Sequence, residues 1–275
     1  MEYSPKKMQE TLDCNGFKFK KNFGQNFIID KNIIDNIILK SEIDKDTMVI
    51  EIGPGAGSLT TALAKYAKNV LCYEIDKTLE PILKENLKEC NNVDIVFQDF
   101  LECNANDKIK EYSYSKLYVV ANLPYYITTP IITKLIEDKI DVDKIVVMVQ
   151  KEVGDRFKAN PGSKDYSSLS IFLKYYFEVN KILDVSRNVF IPKPNVDSIV
   201  VEFVKKKDKV NVNNEELFFK LVRDSFTQKR KTLRNNLKGY NLAKIEEVLK
   251  KYNMNLTIRA EQVSIEIFAD IANNL

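Results

Sequence analysis

Histidine is absent from the 275-residue chain. That removes imidazole triads, imidazole general bases and His metal sites together, so any chemistry here must work without imidazole. Cysteine is scarce: Cys14, Cys72, Cys90 and Cys103 are widely scattered, and no C-x-x-C pair occurs. Neither a zinc site nor a disulfide framework is suggested, no metal is expected, and the thiols suit a reduced, cytoplasmic chain. There is no apolar run of roughly 18 residues or more, so no membrane span is expected. Residues 1–9 are polar and lack an apolar signal core, so secretion is not expected either. No internal repeat or low-complexity tract is present. What remains is an ordinary globular composition, 44% hydrophobic and 29% charged, long enough for one large domain or a domain with an appendage.

Charge is small in sum and uneven in place. The net charge is +3, yet residues 205–275 hold 15 Lys and Arg against 9 Asp and Glu, a net of +6, leaving 27 against 30 before them. The positive excess therefore lies in the C-terminal quarter, where it serves either an acidic partner or a solvated helix surface. Within it, Gln228-Lys229-Arg230-Lys231-Thr232-Leu233-Arg234 places four cations in seven residues, as a phosphate-binding helix or the turn before one would. A second basic stretch interleaves Lys18, Lys20 and Lys21 with Phe17, Phe19, Phe23 and Phe27. Lys20, Lys21, Lys229, Arg230, Lys231 and Arg234 are the candidate RNA contacts.

Hydrophobic patterning predicts strands at 48–52, 70–75, 93–97, 117–121 and 144–150, alternating with helices at 58–67, 77–89, 129–138 and 166–174. Asp30 is a candidate N-cap for a helix to about residue 40, with Ile33, Ile34, Ile37 and Ile38 on one face. The strands are almost wholly apolar, as in a parallel sheet covered on both faces. Residues 175–185 and 197–204 read as further strands, a closing antiparallel pair. The expected fold is a doubly wound α/β domain over 1–204. A polar linker, 205–215, then leads to a small all-helical domain over 205–275, with helices near 215–226, 230–238, 242–252 and 261–273.

Two motifs bear on chemistry. Gly53-Pro54-Gly55-Ala56-Gly57 follows the first strand and precedes a helix, the setting in which a glycine turn lets backbone approach a nucleotide. The next strand ends in Glu74-Ile75-Asp76, where a carboxylate can accept from both ribose hydroxyls. The pattern G-x-G-x-G lacks the third glycine of the dinucleotide fingerprint, which favours an adenosine ligand without a pyrophosphate. Asp99, beyond the third strand, can accept from an adenine amine or simply cap a helix. Downstream, Asn122-Leu123-Pro124-Tyr125 ends the strand at 117–121. Alone it is a turn. In this setting it suits an amine-bearing base: the Asn122 oxygen and a nearby backbone carbonyl accept the two amine hydrogens, Pro124 fixes the backbone, and Tyr125 stacks the base. Phe190, in Phe190-Ile191-Pro192-Lys193-Pro194, is a candidate second aromatic wall or else a core residue. Gly24-Gln25-Asn26-Phe27 is a candidate lid or a plain turn into the first helix. Methyl transfer from a sulfonium to an aromatic amine requires positioned acceptors more than acid–base groups, so a chain without histidine can perform it.

With these residues in view, the chain resembles the ribosomal RNA adenine N6,N6-dimethyltransferases over nearly its whole length. The resemblance runs through Lys20-Lys21-Asn22-Phe23-Gly24-Gln25-Asn26-Phe27, Glu51-Ile52-Gly53-Pro54-Gly55-Ala56-Gly57 and Asn122-Leu123-Pro124-Tyr125-Tyr126-Ile127-Thr128-Thr129-Pro130. It continues through Gln150-Lys151-Glu152-Val153, Pro161-Gly162-Ser163-Lys164-Asp165-Tyr166 and Phe190-Ile191-Pro192-Lys193-Pro194-Asn195-Val196-Asp197-Ser198. It implies a Rossmann-like class I methyltransferase domain using S-adenosyl-L-methionine, with Asn26, Ile28, Gly53, Gly55, Glu74, Asp99 and Asn122 at the cofactor. Asn122, Leu123, Pro124, Tyr125 and Phe190 are the candidate catalytic residues.

Two branches of the family compete. One, of the kasugamycin-resistance type, dimethylates two adjacent adenosines near the 3′ end of 16S RNA in the small subunit or its precursor. The other, of the erythromycin-resistance type, modifies one adenosine of 23S RNA. Leu123 fits the first, and so do Phe226-Thr227-Gln228-Lys229-Arg230-Lys231-Thr232-Leu233 and Arg259-Ala260-Glu261-Gln262-Val263-Ser264. Ile28 and Gly154 are mild departures, in places where Leu and Ala are usual. The expectation is the small-subunit enzyme, monomeric and cytoplasmic. Rival classes are a nucleic-acid-binding factor that keeps the fold and drops the chemistry, a DNA adenine methyltransferase, and a nicotinamide oxidoreductase. Intact Asn122–Tyr125 and Glu74 oppose the first, the basic tail the second, and the short glycine turn the third.

Overall fold

A computed structural model describes residues 5–20 and 23–275. Nine strands are described: β1 (Phe27–Ile28), β2 (Thr47–Ile52), β3 (Asn69–Tyr73), β4 (Val93–Val96), β5 (Lys116–Asn122), β6 (Lys144–Gln150), β7 (Phe177–Val185), β8 (Phe190–Ile191) and β9 (Ser198–Lys205). The helices are α1 (Pro5–Cys14), α2 (Lys31–Ser41), α3 (Ser58–Tyr66), α4 (Glu80–Asn86), α5 (Ala105–Ile109), α6 (Thr128–Glu137), α7 (Lys151–Lys158), α8 (Ser168–Tyr176), α9 (Glu215–Ser225), α10 (Leu233–Asn236), α11 (Leu242–Lys251) and α12 (Ile265–Asn274).

Seven strands form one sheet in the order β4-β3-β2-β5-β6-β9-β7. β4, β3, β2, β5 and β6 run parallel, and β9 lies antiparallel to β6. Every residue of β2 is buried, as are 117–121 in β5 and 144–149 in β6. Helices cover both faces of such strands, which explains why their sequences are apolar runs rather than alternations. The chain leaves β2 toward β3 and β4, then returns to place β5 on the other flank of β2. Between β2 and β5 the winding reverses, and beyond the carboxyl ends of those strands a crevice opens. A separate ribbon pairs β1 antiparallel with β8, Phe27 facing Ile191 and Ile28 facing Phe190.

Local signals explain most boundaries. Asp30 caps α2 by accepting from the Asn32 N–H, and Ile34, Ile37 and Ile38 are buried. Ser167 and Ser170 form a capping box at the start of α8. The predicted helix at 77–89 is divided, because Asp76 caps a 3-10 turn over Lys77–Leu79 before α4 begins. The predicted helix at 261–273 starts later, at Ile265, where Ser264 accepts from the Ile267 N–H. The predicted helix at 230–238 is a turn followed by the four residues of α10. α7 has no counterpart in the sequence reading: its KEVGDRFK run buries only Gly154 and Phe157, too few positions to show a period.

The chain groups into two compact units, 1–151 with 180–204, and 152–179 with 205–275. The second therefore takes in 152–179, which the sequence placed with the first domain. Its core joins Tyr166, Ile171 and Tyr175 to Phe218, Leu221, Leu233, Ile245, Leu249 and Phe268. The first unit holds the parallel sheet, with one core around Val49, Leu63, Val70, Val120 and Met148, and another around Phe27, Leu79, Ile82 and Leu83. No helix among the described residues is long and apolar enough to cross a membrane.

Candidate active site

The turn after β2 opens the crevice. Gly53 donates its N–H to the Tyr73 carbonyl at 2.9 Å, and Gly57 donates to the Pro54 carbonyl at 2.9 Å. Gly55 has φ +60°, and a Cβ there would lie 2.7 Å from Cε1 of Phe27. Only glycine satisfies both the positive φ and the close aromatic neighbour.

Glu74, at the end of β3, is 4% exposed and already engaged on both oxygens. Oε2 accepts the Gly55 N–H at 3.1 Å, and Oε1 accepts the Asp76 N–H at 2.9 Å. Burial pushes its carboxyl up to about 7, against these backbone donors, which act downward. Each oxygen keeps a lone pair for a ligand hydroxyl. Asp99 caps the turn at Phe100–Glu102 by accepting the Leu101 N–H at 2.8 Å, and it also lines the crevice. The capping and ligand-facing readings of Asp99 are therefore compatible, since the capping bond uses Oδ1 alone.

At the end of β5, Asn122 donates Nδ2–H to the Asn26 carbonyl at 2.8 Å. This bond selects which end of the amide faces which way and leaves the Oδ1 acceptor unspent on it. Asn26 in turn donates its side-chain N–H to the Gly24 carbonyl at 3.0 Å. The turn after Asn122 is held by Leu123 N–H to the Met148 carbonyl at 3.2 Å and Ile127 N–H to the Pro124 carbonyl at 3.2 Å. Tyr125 Oη lies 2.7 Å from Ser198 Oγ.

The crevice is lined by Asn26, Ile28, Gly53, Gly55, Glu74, Asp99, Asn122, Leu123, Pro124 and Tyr125 together. The sequence singled out each of these positions, and the fold brings them to one rim. Phe190 departs from the expectation of a second wall. It is 2% exposed, pairs with Ile28 through β8 and β1, packs into the sheet core and does not line the crevice. The alternative reading of Phe190 as a core residue describes its position here, because the β1–β8 ribbon turns its ring toward the sheet. Phe23 and Tyr126 do line the crevice. Tyr126, 54% exposed, packs against Gly24, where a Cβ would meet its ring at 3.2 Å.

Sequence reasoning missed a network that fastens the N-terminal segment across the crevice. Asp76 accepts from Lys20 Nζ at 2.6 Å and from Gln25 Nε2 at 2.8 Å, while Lys20 N–H donates to Gln25 Oε1 at 2.7 Å. Burial acts upward on the Asp76 carboxyl, but the bonds from Lys20, Thr78 and Gln25 outweigh it and hold it below the usual range. The Lys20 ammonium is thus committed to Asp76 and Thr78. Lys21 lies outside the described residues. Glu51 was also missed. It is 1% exposed beneath the glycine turn, and burial pushes its carboxyl up to about 8, opposed by the Cys72 thiol, which donates to its Oε2 at 3.8 Å. A lone acid inside the apolar run of β2 was the available signal.

In the second unit, Lys229, Arg230 and Lys231 are exposed in the turn before α10. Lys229 Nζ donates to the Lys164 carbonyl at 2.6 Å, and Arg234 lies 3.9 Å from Glu246. Asn236 Nδ2 donates to the Ser225 carbonyl at 2.6 Å and the Gln228 carbonyl at 3.2 Å, which braces the turn. Among the described residues no cluster of His, Cys, Asp and Glu suits a metal.

The chain can now be set beside known proteins. Residues 16–275 match the family model described as ribosomal RNA adenine dimethylase. A Staphylococcus aureus protein named ribosomal RNA small subunit methyltransferase A is 47% identical over 277 residues, covering 98% of this chain and 93% of that protein. Among solved structures, a dimethyladenosine transferase from Plasmodium falciparum superposes with TM-score 0.75 at 28% identity, over 89% of this chain and 95% of that one. The 23S rRNA methyltransferase ErmE superposes with TM-score 0.74 at 26% identity, over 91% of this chain and 99% of its own.

The two buried acids make stability depend on pH. Both Glu51 and Glu74 have carboxyls raised above the ordinary 4.5, so the folded chain holds protons that the unfolded chain releases between about pH 4.5 and 8. Stability is therefore greatest at the acidic end of that window and falls as pH rises through it. Denaturant unfolding at pH 5.5 and pH 8 should differ by about 5 kcal/mol, and Glu74→Gln should remove part of the difference. A wild-type slope in E74Q would mean that Glu74 ionises normally.

Proposed function

The chain belongs to the ribosomal RNA adenine dimethylase family, and from that premise we propose that it methylates N6 of two adjacent adenosines near the 3′ end of 16S RNA. The donor is S-adenosylmethionine, the product N6,N6-dimethyladenosine, and the setting the small ribosomal subunit or its precursor. The enzyme acts as a cytoplasmic monomer in subunit biogenesis. The observation that supports this most strongly is that the residues for a nucleoside and those for an amine-bearing base line one crevice.

The crevice suits this donor. Its described lining includes Glu51, Glu74 and Asp99 but no Lys or Arg. Such a lining disfavours a pyrophosphate and favours a cation. In this reading Glu74 accepts from the ribose hydroxyls, Asp99 accepts from the adenine amine, and the glycine turn admits close approach of backbone. When bound, S-adenosylmethionine supplies a methyl group already activated on a positive sulfur.

The chain's residues then prepare the acceptor. The lone pair of an aromatic amine is delocalised into its ring. Asn122 Oδ1, oriented through the Nδ2 bond to Asn26, accepts one amine N–H, and a backbone carbonyl of the Leu123–Pro124 turn accepts the other. Two fixed acceptors favour a more tetrahedral, nucleophilic nitrogen and aim its lone pair. Tyr125 stacks the base, with Phe23 and Tyr126 at the mouth. The methylated nitrogen, ammonium-like, is acidic enough to lose a proton without a dedicated base, in keeping with a chain that has no histidine. In the tail, Arg230 and Lys231 are the leading phosphate contacts, with Lys229 and Arg234 beside them. The 23S branch is disfavoured by 47% identity to a small-subunit relative against 26% to ErmE.

The first test is labelled-methyl transfer to small subunits, large subunits and free 23S RNA, all lacking the modification. Label recovered as N6,N6-dimethyladenosine in small subunits alone is expected. Label in 23S RNA would move the chain to the other branch, and no label would favour a binding factor. Asn122→Ala should lower turnover by about 10²–10³-fold while cofactor affinity, measured by calorimetry, weakens far less. Unchanged turnover would remove Asn122 from the mechanism. Neutralising Lys229, Arg230, Lys231 and Arg234 together should weaken subunit binding and reduce its log–log salt slope by about 2 to 3. If affinity and slope both stay in place, the cluster is only a solvated face.

A further inference from the structure

One buried polar contact at the crevice has no part in the chemistry above. Ser198 is 0% exposed, and its Oγ lies 2.7 Å from Tyr125 Oη. Its place follows from topology. β9 runs antiparallel to its parallel neighbours, so its first residue, Ser198, meets the last residue of β6, Gln150. Ser198 thus sits on the same rim as Asn122, two strands across.

The approach to Ser198 is fastened on several sides. The Asp197 carbonyl accepts the Lys151 N–H at 3.0 Å, and Asp197 Oδ1 accepts the Arg187 N–H at 3.0 Å. Arg187 Nη1 donates to the Asn195 carbonyl at 2.9 Å. Ser198 is therefore a fixed point, whereas Tyr125 belongs to a turn whose side chain has two free torsions. Stacking needs only an aromatic face, which phenylalanine would provide equally well. A hydroxyl on that ring has a different use, since it can bond the outer end of the ring to the sheet rim and so fix where the ring lies.

We propose that Ser198 is a positioning residue for methyl transfer: its hydroxyl, through Tyr125 Oη, anchors the outer end of the ring on which the target adenine stacks. This rests on the reading of Tyr125 as the stacking face. A ring whose outer end can swing would still admit the adenine, but would present its amine to Asn122 in the productive geometry for a smaller fraction of the time. The loss then appears in turnover, not in cofactor affinity.

The test is a double-mutant cycle of Ser198→Ala and Tyr125→Phe, with transfer to small subunits, subunit KM, cofactor affinity and thermal midpoint measured for each variant. Each single substitution should lower kcat by about five- to tenfold, as expected for one hydrogen bond, with cofactor affinity unchanged. The double variant should be no slower than either single one, and Ser198→Thr should recover most of the rate. Multiplying losses would overturn the proposal, because Ser198 would then act independently of Tyr125. So would full turnover in Y125F, which removes the bond without opening a cavity even if S198A folds poorly. Transfer by the wild type that is lost in N122A but intact in S198A would sink this role alone. Absence of transfer by the wild type would sink the enzymatic reading and this role with it.

Discussion

The hydrogen bond from Asn122 Nδ2 to the Asn26 carbonyl, 2.8 Å long, is the contact on which the rest of the crevice depends. It joins residues 96 positions apart in the chain, one at the end of a central parallel strand and one in a segment that precedes the sheet altogether. By spending the amide's donor on backbone, it leaves the acceptor end for a ligand. It also requires the N-terminal segment to lie across the crevice. The other fastenings serve the same placement: Gln25 and Lys20 reach Asp76, Phe27 fills the space above Gly55, and Gly24 admits the Tyr126 ring. The glycines here are receptors for aromatic neighbours as much as flexible links.

Charge is divided to match the proposed chemistry. Among the described residues the crevice gathers Glu51, Glu74 and Asp99 without a lining cation, and burial keeps two of these acids protonated at higher pH than usual. A positive ligand lowers the cost of ionising a buried carboxylate, so these acids suit a sulfonium donor. The basic cluster belongs to the second unit, in the turn before α10, where exposed cations suit a polyanion. A single uniform surface could not serve both ligands.

Much of the fold was legible because it depends on short-range rules. Apolar runs bounded by glycine or acid marked β2, β3, β5 and β6 within a residue or two. Asp30 marked the start of α2 through its side-chain bond to Asn32. Errors arose where a local competitor intervened. Asp76 capped a 3-10 turn ahead of α4, and Ser264 capped a new start inside what read as one helix. α7, with two buried positions, had no period to detect. Residues 152–179 joined the helical tail, because the apolar faces of Tyr166, Ile171 and Tyr175 find their partners there, and sequence order says nothing about which core such a face enters.

The sequence by itself determined the chemistry on offer: no imidazole, a glycine turn, an acid after the next strand, and Asn-Leu-Pro-Tyr after a later one. Strand ends sharing one rim follow from parallel winding, so these residues could be expected together before any coordinates. Only the tertiary structure decided which of them line the crevice and which hold one another. Phe190 went to the core because β8 pairs with β1, Lys20 was taken by Asp76, and Ser198 reached Tyr125 because β9 runs antiparallel to β6. Each is a pairing between residues distant in sequence. Such pairings are set by register and strand direction, which a linear pattern of residue types does not encode.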